Sequence, residues 1–333
     1  MRKMFKIILL IFLLIILLFL SYFFVGKPPR AEKITWGVNF SQKHAKDLGL
    51  DWQETYFALL DDLRVQNIKL LTHWDLLEPE KDEYFFDDLD WQVQKAEEKE
   101  ANLLLVVGMK TGRWPECHIP NWAQNLTKDE QQKEILELVE NIVQRYRDSK
   151  AIERWQVENE PFFPFGACPW RDRKFLRKEI NLVKSLDQQN RQIILTESGE
   201  WSPWTLAPRY GDLVGVTMYR KVWNSDIGIY LSYDFFRPIY YWRKSLLARK
   251  IFGKKVIVIE LQAEPWGQKL LYDSPLAEQE KTMNLDKFKH NIEFAKKTGF
   301  DTFYLWGAEW WHWLKEKQGQ PAIWEEAKKL INN

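Results

Sequence analysis

The chain has few cysteines and histidines and no excess of charge of either sign. Its 333 residues include 2 Cys and 5 His, and 48 basic side chains stand against 47 acidic ones, for a net charge of +1. A nucleic-acid-binding chain normally carries a basic patch or a clear basic excess, so no nucleic-acid partner is expected. The histidines show no zinc-binding spacing, so we predict no metal site and no cofactor.

Long uncharged runs are equally scarce, and none occurs after residue 32. The single one covers residues 7–25, nineteen positions without a charge, preceded by Arg2, Lys3 and Lys6. This length fits a membrane-spanning helix and exceeds a signal-peptide core of about 7–15 residues, and no small-x-small cleavage site follows. We predict an uncleaved anchor over 7–25, with residues 1–6 in the cytoplasm and the rest of the chain outside. A cleaved signal peptide is the alternative.

A glycine-rich phosphate turn is also missing after the first apolar run, where residues 37–41 read Gly-Val-Asn-Phe-Ser. Its absence disfavours a doubly wound open sheet. After a linker over 26–32, short strand-like runs alternate with longer amphipathic segments, the order of an α/β fold. Eight such strands predict a (β/α)₈ TIM barrel over 33–333. The strands are predicted over 34–40, 68–71, 103–107, 152–157, 192–196, 213–218, 256–259 and 302–305, and helices over 52–65, 87–99, 128–147, 171–186, 276–298 and 322–331.

Aromatic residues are abundant, with 18 Trp, 12 Tyr and 20 Phe, more than a core requires. Flat rings that stack on sugars explain such a content, and so does an aromatic interface. Ten tryptophans follow predicted strands, and each either lines a cleft or packs in the core: Trp114, Trp122, Trp170, Trp201, Trp204, Trp266, Trp306, Trp310, Trp311 and Trp313.

Carboxylates stand at the ends of two predicted strands, where barrel enzymes place their catalytic residues. Glu160, within Asn159-Glu160-Pro161, closes the fourth strand, and Glu260 closes the seventh. A lone glutamate at such a position is more often a solvated or ion-paired side chain, but two of them suggest an acid/base pair. Glu158 and Glu264 are the rival candidates. By strand alternation Glu158 shares a face with Glu160, and Glu264 lies in the loop beyond the seventh strand.

These motifs resemble the clan A glycoside hydrolases, retaining (β/α)₈ enzymes that include the family 5 cellulases and mannanases. The resemblance covers about residues 34–330 and implies that Glu160 is the acid/base and Glu260 the nucleophile. It implies substrate contacts from Asn159 on the sugar 2-hydroxyl, Tyr219 beside the nucleophile and Trp306 beneath the sugar, and the segment that begins at Trp74 resembles the one after the second strand in this clan. His73 and Trp266 also follow strands and are candidates to line the cleft, with a structural histidine as the alternative for His73. The sequence departs from family 5 at Lys69, Lys110 and Thr217, where that family has arginine or histidine.

The predicted anchor and the resemblance together indicate a membrane-anchored extracytoplasmic O-glycosyl hydrolase. It would act as a monomer on a β-linked oligo- or polysaccharide by a double-displacement mechanism with two glutamates. Three alternatives stay open: a barrel that binds glycans without cleaving them, a transglycosylase acting on cell-surface glycans, and a metal-dependent barrel hydrolase, which the few histidines disfavour.

The two cysteines fall in neighbouring loops of the predicted barrel, Cys117 after the third strand and Cys168 after the fourth. Adjacent loops can bring Cα atoms within the roughly 4.4–6.8 Å that a disulfide needs, and an exported domain meets oxidising conditions. We therefore predict a disulfide, with two buried thiols as the alternative.

Overall fold

All eight predicted strands form in the computed structural model, which describes residues 2–332. Met1 and Asn333, which belong to the predicted segments 1–6 and 33–333, lie outside the described residues. The barrel strands are β1 (Thr35–Phe40), β2 (Asn67–Leu71), β3 (Asn102–Val107), β4 (Ile152–Val157), β5 (Ile193–Glu197), β6 (Leu213–Met218), β9 (Val256–Gln262) and β10 (Thr302–Trp306), and a separate hairpin contains β7 (Lys221–Asn224) and β8 (Ile229–Ser232).

The eight strands are parallel and close on themselves in the order β1-β10-β9-β6-β5-β4-β3-β2. This closed barrel confirms the predicted TIM-barrel class and excludes the open doubly wound sheet. Inside it, apolar side chains fill one layer (Leu104, Ile194, Leu213, Ile257, Ile259 and Tyr304) and a smaller layer lies nearer the carboxyl ends of the strands (Leu71, Val106 and Trp306). The interior is therefore packed, and the mouth at the carboxyl ends is left for polar groups.

Helices surround the barrel, and their starts follow from capping residues. Thr127 and Glu130 form a capping box at the start of one helix, and Asp172 accepts backbone hydrogen bonds at the start of the next. The helices are α1 (Arg2–Phe24), α2 (Gln42–Asp47), α3 (Trp52–Asp61), α4 (Trp74–Leu77), α5 (Asp87–Glu98), α6 (Lys128–Tyr146), α7 (Arg173–Leu186), α8 (Ala207–Tyr210), α9 (Pro238–Phe252), α10 (Leu276–Gln279), α11 (Leu285–Lys296), α12 (Ala308–Gln318) and α13 (Ala322–Asn332).

The single helix predicted over 276–298 was wrong, since two helices, α10 and α11, occupy that segment. Asn284 is extended and its side chain accepts a hydrogen bond from the Lys287 amide at 3.0 Å, which starts α11 as a new helix. The sequence reasoning also missed α9, α12 and the β7–β8 hairpin. The aromatic start of α9, Pro238-Ile239-Tyr240-Tyr241-Trp242, has no clear polar face, so no helical period marks it.

An irregularity in β9 decides which way its last residues point. Val258 pairs with Val216 in β6, but Glu260 pairs with the next residue, Thr217, so β9 holds one extra residue there. The pairing with β10 shifts in the same place. A bulge of this kind breaks the alternation of faces, so Glu260 faces the barrel interior together with Ile259.

The N-terminal helix α1 is apolar and exposed along its length and meets the barrel only at its end. Its segment Lys3–Phe24 is long and apolar enough to cross a membrane, by length and composition. Phe24 stacks on Tyr240 of α9 with ring centroids 5.6 Å apart, and the Arg243 guanidinium lies 4.7 Å from the centre of the Tyr22 ring. The end of α1 is therefore held against α9 by aromatic contacts.

Candidate active site

Glu260 lies at the barrel mouth, at the end of β9, and is held there by two partners from other strands. Lys69 of β2 donates to Glu260 Oε1 at 2.8 Å, and the Tyr219 hydroxyl, just after β6, donates to Oε2 at 3.0 Å. Lys69 is fully buried and Glu260 is 4% exposed. These two donors, from β2 and from the end of β6, fix the orientation of the Glu260 carboxylate.

Glu160 lies in the loop after β4, where the chain leaves the strand conformation. Its φ is +42°, and its amide donates to the Thr196 hydroxyl of β5 at 2.5 Å, which places the side chain over the mouth. Burial, together with the charge of Glu260, raises the pKa of Glu160 to about 8. The two glutamates are therefore close enough to interact electrostatically.

Asn159 connects these two glutamates to the rest of the site. Its amide oxygen accepts from Gln156 Nε2 at 3.1 Å and from Lys69 Nζ at 3.4 Å, and its Nδ2 donates to Glu116 Oε2 at 3.3 Å. These partners orient the amide, because oxygen and nitrogen each face a group of the matching kind. Asn159 thus shares Lys69 with Glu260.

Glu116 is a member of the site that the sequence reasoning did not single out. It lies in the loop after β3 and is 6% exposed, with Lys110 Nζ 4.0 Å from its Oε2. Burial raises the pKa of Glu116 to about 7, against the opposing charge of Lys110. Only its place next to Cys117 marked it in the sequence, since a disulfide after β3 would hold this loop over the mouth.

The predicted disulfide between Cys117 and Cys168 is present, with Cα atoms 5.3 Å apart. It joins the loop after β3, which carries Glu116, to the loop after β4, which carries Glu160. The two loops that supply acidic groups to the mouth are therefore covalently connected.

Glu200, in the loop after β5, supports Tyr219 from behind. Its carboxylate accepts from the Tyr219 amide at 2.9 Å and from the Tyr241 hydroxyl at 2.8 Å, and burial raises its pKa to about 7. A Cβ on the preceding Gly199 would lie 1.7 Å from the Thr217 carbonyl oxygen, so only glycine lets this loop reach β6. Tyr219 is thereby held where its hydroxyl meets Glu260.

The rival Glu158 points away from the barrel mouth, so the expected shared face with Glu160 was wrong. β4 ends at Val157, and Glu158 has a φ of +58°, which turns its side chain out of the alternating pattern. Its carboxylate accepts from the amides of Met109 and Lys110 at 2.8 and 2.7 Å, and Glu179 of α7 donates a hydrogen bond to it. Burial raises the pKa of both carboxyl groups. The hydrogen bonds from Met109 and Lys110 tie the end of β4 to the loop after β3.

The other rival, Glu264, is an ion-pair partner of Arg113. The Arg113 guanidinium contacts Glu264 and also donates to Glu309 at 3.0 Å. Burial acts to raise the pKa of Glu264, but the charges and hydrogen bonds of Arg113 and His44 together outweigh it and lower the pKa to about 2. Glu264 is thus a permanent anion bound to a cation.

Two of the predicted substrate-contacting rings lie beside these groups. The Trp306 ring, 5% exposed, has the Arg113 guanidinium 4.1 Å and the Lys69 ammonium 5.7 Å from its centre. Trp266 is partly exposed and stands at right angles to Tyr219, with centroids 5.2 Å apart. Tyr219, Trp306 and Trp266 therefore gather at the mouth with Asn159 and the two glutamates.

His73 and Trp74 are not brought to the surface of this cleft. Trp74 is fully buried and its indole donates to Glu78 at 2.8 Å, within the loop after β2. His73 is 1% exposed, lies between the hydroxyls of Ser41 and Thr111, and packs on His118 with centroids 4.1 Å apart. Burial holds the pKa of His73 well below its usual value, so it is neutral.

One cluster of carboxylates outside the mouth has oxygens within 4.8 Å of one another: Glu78, Asp82 and Glu134. Lys81 lies 3.3 Å from Glu134 and supplies positive charge to this cluster. Glu78 and Asp82 follow β2 and Glu134 lies on α6, so none of the three comes from the loops that carry Glu160 and Glu260.

A family model described as Glycosyl hydrolase family 10 matches residues 44–179 of the chain. This segment runs from α2 to α7 and includes Asn159 and Glu160, whereas Glu260 lies beyond it. The match therefore concerns the half of the barrel that carries the first glutamate.

Sequence relatives include two β-galactosidases of Lactobacillus acidophilus. LacZ is 25% identical over 169 residues, which cover 43% of this chain and 24% of the relative, and LacA is 24% identical over the same shares. The aligned part thus spans about a quarter of the length of these relatives.

Solved structures with the same fold include xylanase 10B from Thermotoga petrophila RKU-1 in complex with xylobiose. It superposes with a TM-score of 0.54 and 17% identity over 83% of this chain and 82% of that one. A GH5_18 structure from Bifidobacterium longum subsp. longum gives a TM-score of 0.56 and 12% identity over 83% and 70%. At these identities the likeness shows the fold.

The barrel fold and the family 10 match together confirm the resemblance to the clan A glycoside hydrolases, and the likeness to family 5 stays a resemblance.

Proposed function

We propose that this chain is a glycoside hydrolase that cleaves β-linked glycosidic bonds by a retaining mechanism, with Glu160 as acid/base and Glu260 as nucleophile. One observation carries the proposal. Glu160, in the loop after β4, and Glu260, at the end of β9, are both buried. The pKa of Glu160 is raised to about 8, in part by the charge of Glu260, and Lys69 and Tyr219 donate to Glu260. A retaining glycosidase needs such a pair, a protonated acid and an ionised nucleophile.

In the first step a carboxylate oxygen of Glu260 attacks the anomeric carbon while the bond from that carbon to the leaving oxygen breaks. Glu160 gives its proton to the leaving oxygen, and Glu260 becomes a glycosyl ester. The ester carries no negative charge, so the contribution of Glu260 to the high pKa of Glu160 disappears. Glu160 gave up its proton in the first step and, with its pKa lowered, stays ionised and can act as the base. It takes a proton from water while the water oxygen attacks the anomeric carbon, and the bond from that carbon to Glu260 breaks.

The surrounding groups position the sugar. Asn159 is oriented by Gln156 and Lys69, which suits its amide for the sugar 2-hydroxyl. Tyr219 shares the Glu260 carboxylate with Lys69 and so limits the directions from which a sugar carbon can approach. Trp306 and Trp266 supply the aromatic surfaces. His73 and Trp74 act indirectly, by holding the loop after β2.

The substrate class follows from what is common to the similar proteins. The similar proteins include xylanases and β-galactosidases, and both act on β-linked sugars. We propose a β-linked oligo- or polysaccharide as substrate and a monomer as the acting form, which light scattering of purified protein would verify.

Substitution of the two glutamates tests the mechanism. Glu260→Gln should abolish turnover, by about three or more orders of magnitude, because it removes the nucleophile and keeps the shape. Glu160→Gln should spare aryl glycosides with good leaving groups and should be rescued by azide, which yields a β-glycosyl azide. Glu280 is an exposed glutamate on the barrel surface, so Glu280→Gln serves as the matched control and should leave activity unchanged.

Proton NMR of the first sugar product distinguishes the mechanisms. The β-anomer should appear first from a β-linked substrate, and an initial α-anomer would mean inversion. Near-normal activity of Glu260→Gln, or glycan binding without turnover by the wild-type chain, would overturn the hydrolase proposal. Transfer of the sugar to a second sugar, with little release to water, would instead favour a transglycosylase.

We also propose that residues 7–25 anchor the protein in a membrane, with 1–6 cytoplasmic, 26–32 as linker and the barrel outside. The apolar helix α1 and the charges that precede its core support this topology. The full chain should sediment with membranes and a chain beginning at Ala31 should stay in solution. Protease added to intact cells should reach the barrel, and recovery of a freely secreted protein processed after residue 25 would contradict the anchor.

A further inference from the structure

Exposed aromatic side chains lie on the rim of the barrel mouth, next to the end of α1. Trp201, in the loop after β5, is 56% exposed, and Phe235, between β8 and α9, is 53% exposed. Large apolar side chains with this exposure mark a contact surface when they adjoin one another. The buried rings of Tyr233 and Phe236 lie between these two and contact both. We call Trp201, Tyr233, Phe235, Phe236 and Tyr240 the rim patch, of which Trp201 and Phe235 are the exposed members.

The rim patch is joined to α1 by an unbroken series of ring contacts. Phe236 lies 5.7 Å from Trp201, 4.1 Å from Phe235 and 4.6 Å from Tyr240, measured between ring centroids. Tyr240 in turn stacks on Phe24 of α1 at 5.6 Å. The patch therefore continues directly onto the last turn of the apolar helix.

The length of α1 determines the depth in the bilayer at which Phe24 contacts Tyr240. The segment Lys3–Phe24 has 22 residues, and a helix rises about 1.5 Å per residue, which matches a hydrocarbon core about 30 Å thick. When α1 spans a bilayer, its final aromatic residues reach the boundary between lipid tails and headgroups. Tyr240, in contact with Phe24, is then at the same level.

The linker keeps the barrel close to this boundary. A Cβ on Gly26 would lie 3.7 Å from Ile239 of α9, and the Pro29 carbonyl oxygen lies within reach of Gly299 on the barrel. The chain thus runs along α9 after leaving α1, so the linker follows the barrel surface and does not extend it away from the lipid.

Positive charge accompanies the aromatic rings. Arg237 is exposed at the start of α9, and Arg243 one turn and a half further on lies over the Tyr22 ring. Arg243 Nε has no hydrogen-bond partner among residues 2–332. Aromatic rings combined with arginines are the composition that proteins place at a membrane–water interface, where guanidinium groups meet lipid phosphates.

We propose that the rim patch is a membrane-contact surface: with α1 across the bilayer, Trp201 and Phe235 lie among the lipid headgroups and the rim of the cleft faces the lipid surface. This inference rests on the proposed anchoring of α1. The patch also adjoins the site, because the Tyr240 hydroxyl donates to the Glu200 carbonyl at 3.1 Å and Trp201 directly follows Glu200. The cleft then takes glycans that stand close to the membrane.

A fluorescent probe at Phe235 tests the contact in the full chain. Both native cysteines are in the disulfide, so a thiol introduced by Phe235→Cys takes an NBD label selectively. Phe85→Cys is the matched control, since Phe85 is 54% exposed and follows β2, which lies opposite β6 in the closed barrel. The protein is placed in liposomes of phosphatidylcholine and phosphatidylglycerol, with and without headgroup-nitroxide lipid.

NBD at 235 should show blue-shifted emission and at least threefold stronger nitroxide quenching than NBD at 85, and Trp201→Cys should behave like the 235 variant. Equal, weak quenching at all three positions in protein that sediments with the liposomes would overturn the contact and leave the anchor standing. Protein that fails to sediment with the liposomes would overturn the anchor and the contact together. Protection of the 235 probe by a soluble β-linked oligosaccharide, without any effect of lipid, would make the patch a sugar-binding surface instead.

Discussion

Glu116 lies close enough to both proposed catalytic glutamates to alter the proton equilibria of the site. Burial raises the pKa of Glu116, the charge of Lys110 lowers it and the charge of Glu260 raises it, and the resulting pKa is about 7. The charge of Glu116 in turn contributes to the high pKa of Glu160. Three acidic side chains, from the loops after β3 and β4 and from the end of β9, therefore share one buried region, with Lys69 and Lys110 as the balancing cations.

The pH dependence of activity should report this coupling. Glu160 acts as an acid only while protonated, so kcat/KM should fall as the pH rises through about 8. Glu116→Gln removes a negative charge near Glu160, so this fall should move to lower pH by less than about one unit, because burial and Glu260 remain. A pH–rate profile on an aryl β-glycoside measures it, with Glu280→Gln as control. If the alkaline fall of kcat/KM stays at the same pH or moves to higher pH in Glu116→Gln, the role given to Glu116 is contradicted.

At the level of secondary structure, the ends of strands β4 and β9 determine where the proposed catalytic side chains point. β4 stops one residue before Glu158, and the positive φ values of Glu158 and Glu160 send the first carboxylate behind the sheet and the second over the mouth. In β9 the extra residue turns Glu260 inward. Both deviations from regular alternation lie where the proposed catalytic groups stand, as is common at functional sites.

The disulfide between the loops after β3 and β4 should contribute to stability. It closes a segment with a sequence separation of 51, for which the loss of unfolded-state entropy corresponds to about 4 kcal/mol. The double change Cys117→Ser and Cys168→Ser should lower the free energy of unfolding by about 2–5 kcal/mol, measured by urea titration in detergent. The wild-type protein should lose the same amount in reductant, whereas the variant should not respond to it. Two titratable thiols in denatured, unreduced wild-type protein would contradict the bond.

At the scale of the whole molecule, the buried glutamates make stability depend on pH. The pKa values of Glu116, Glu160 and Glu200 are raised to about 7, 8 and 7 from an ordinary 4.5. Between pH 4.5 and about 7 the folded protein keeps protons that the unfolded chain has released. The stability that these groups contribute is fully present below pH 4.5. It is lost as the pH rises through the pKa values of the groups in the folded protein, by up to about 1.4 kcal/mol per pH unit for each group.

Glu200→Gln isolates one of these contributions, since glutamine can still accept from the Tyr219 amide and the Tyr241 hydroxyl. The free energy of unfolding of this variant should fall less steeply between pH 4.5 and 7 than that of the wild type. Urea titrations at several pH values provide the measurement, and Glu280→Gln should keep the wild-type slope. A Glu200→Gln slope equal to the wild-type slope would show that Glu200 does not carry the expected proton.

Sequence patterns were sufficient for the barrel and for part of the candidate site. Apolar runs of strand length and amphipathic segments are local, so all eight strands and most flanking helices were predicted within a few residues, and the disulfide was predicted from the loops that hold Cys117 and Cys168. Helix α9, which begins with a proline and several aromatic residues, was missed because it has no clear polar face. Glu116 was missed because its place next to Cys117 was its only mark in the sequence, and its partners Lys110 and Asn159 come to it only in the folded barrel.

The sequence by itself determined the fold class, the apolar helix and the Asn159-Glu160 and Glu260 positions, since each depends on residues that are adjacent or regularly spaced. Only the tertiary structure decided that Glu260 turns inward at a bulge, that Glu158 binds behind the sheet, that Trp74 is buried and that Glu116 joins the site. It also decided the protonation of Glu160. The physical reason is that barrel closure brings strand ends from distant parts of the chain together, and burial and charge act through these distances in space.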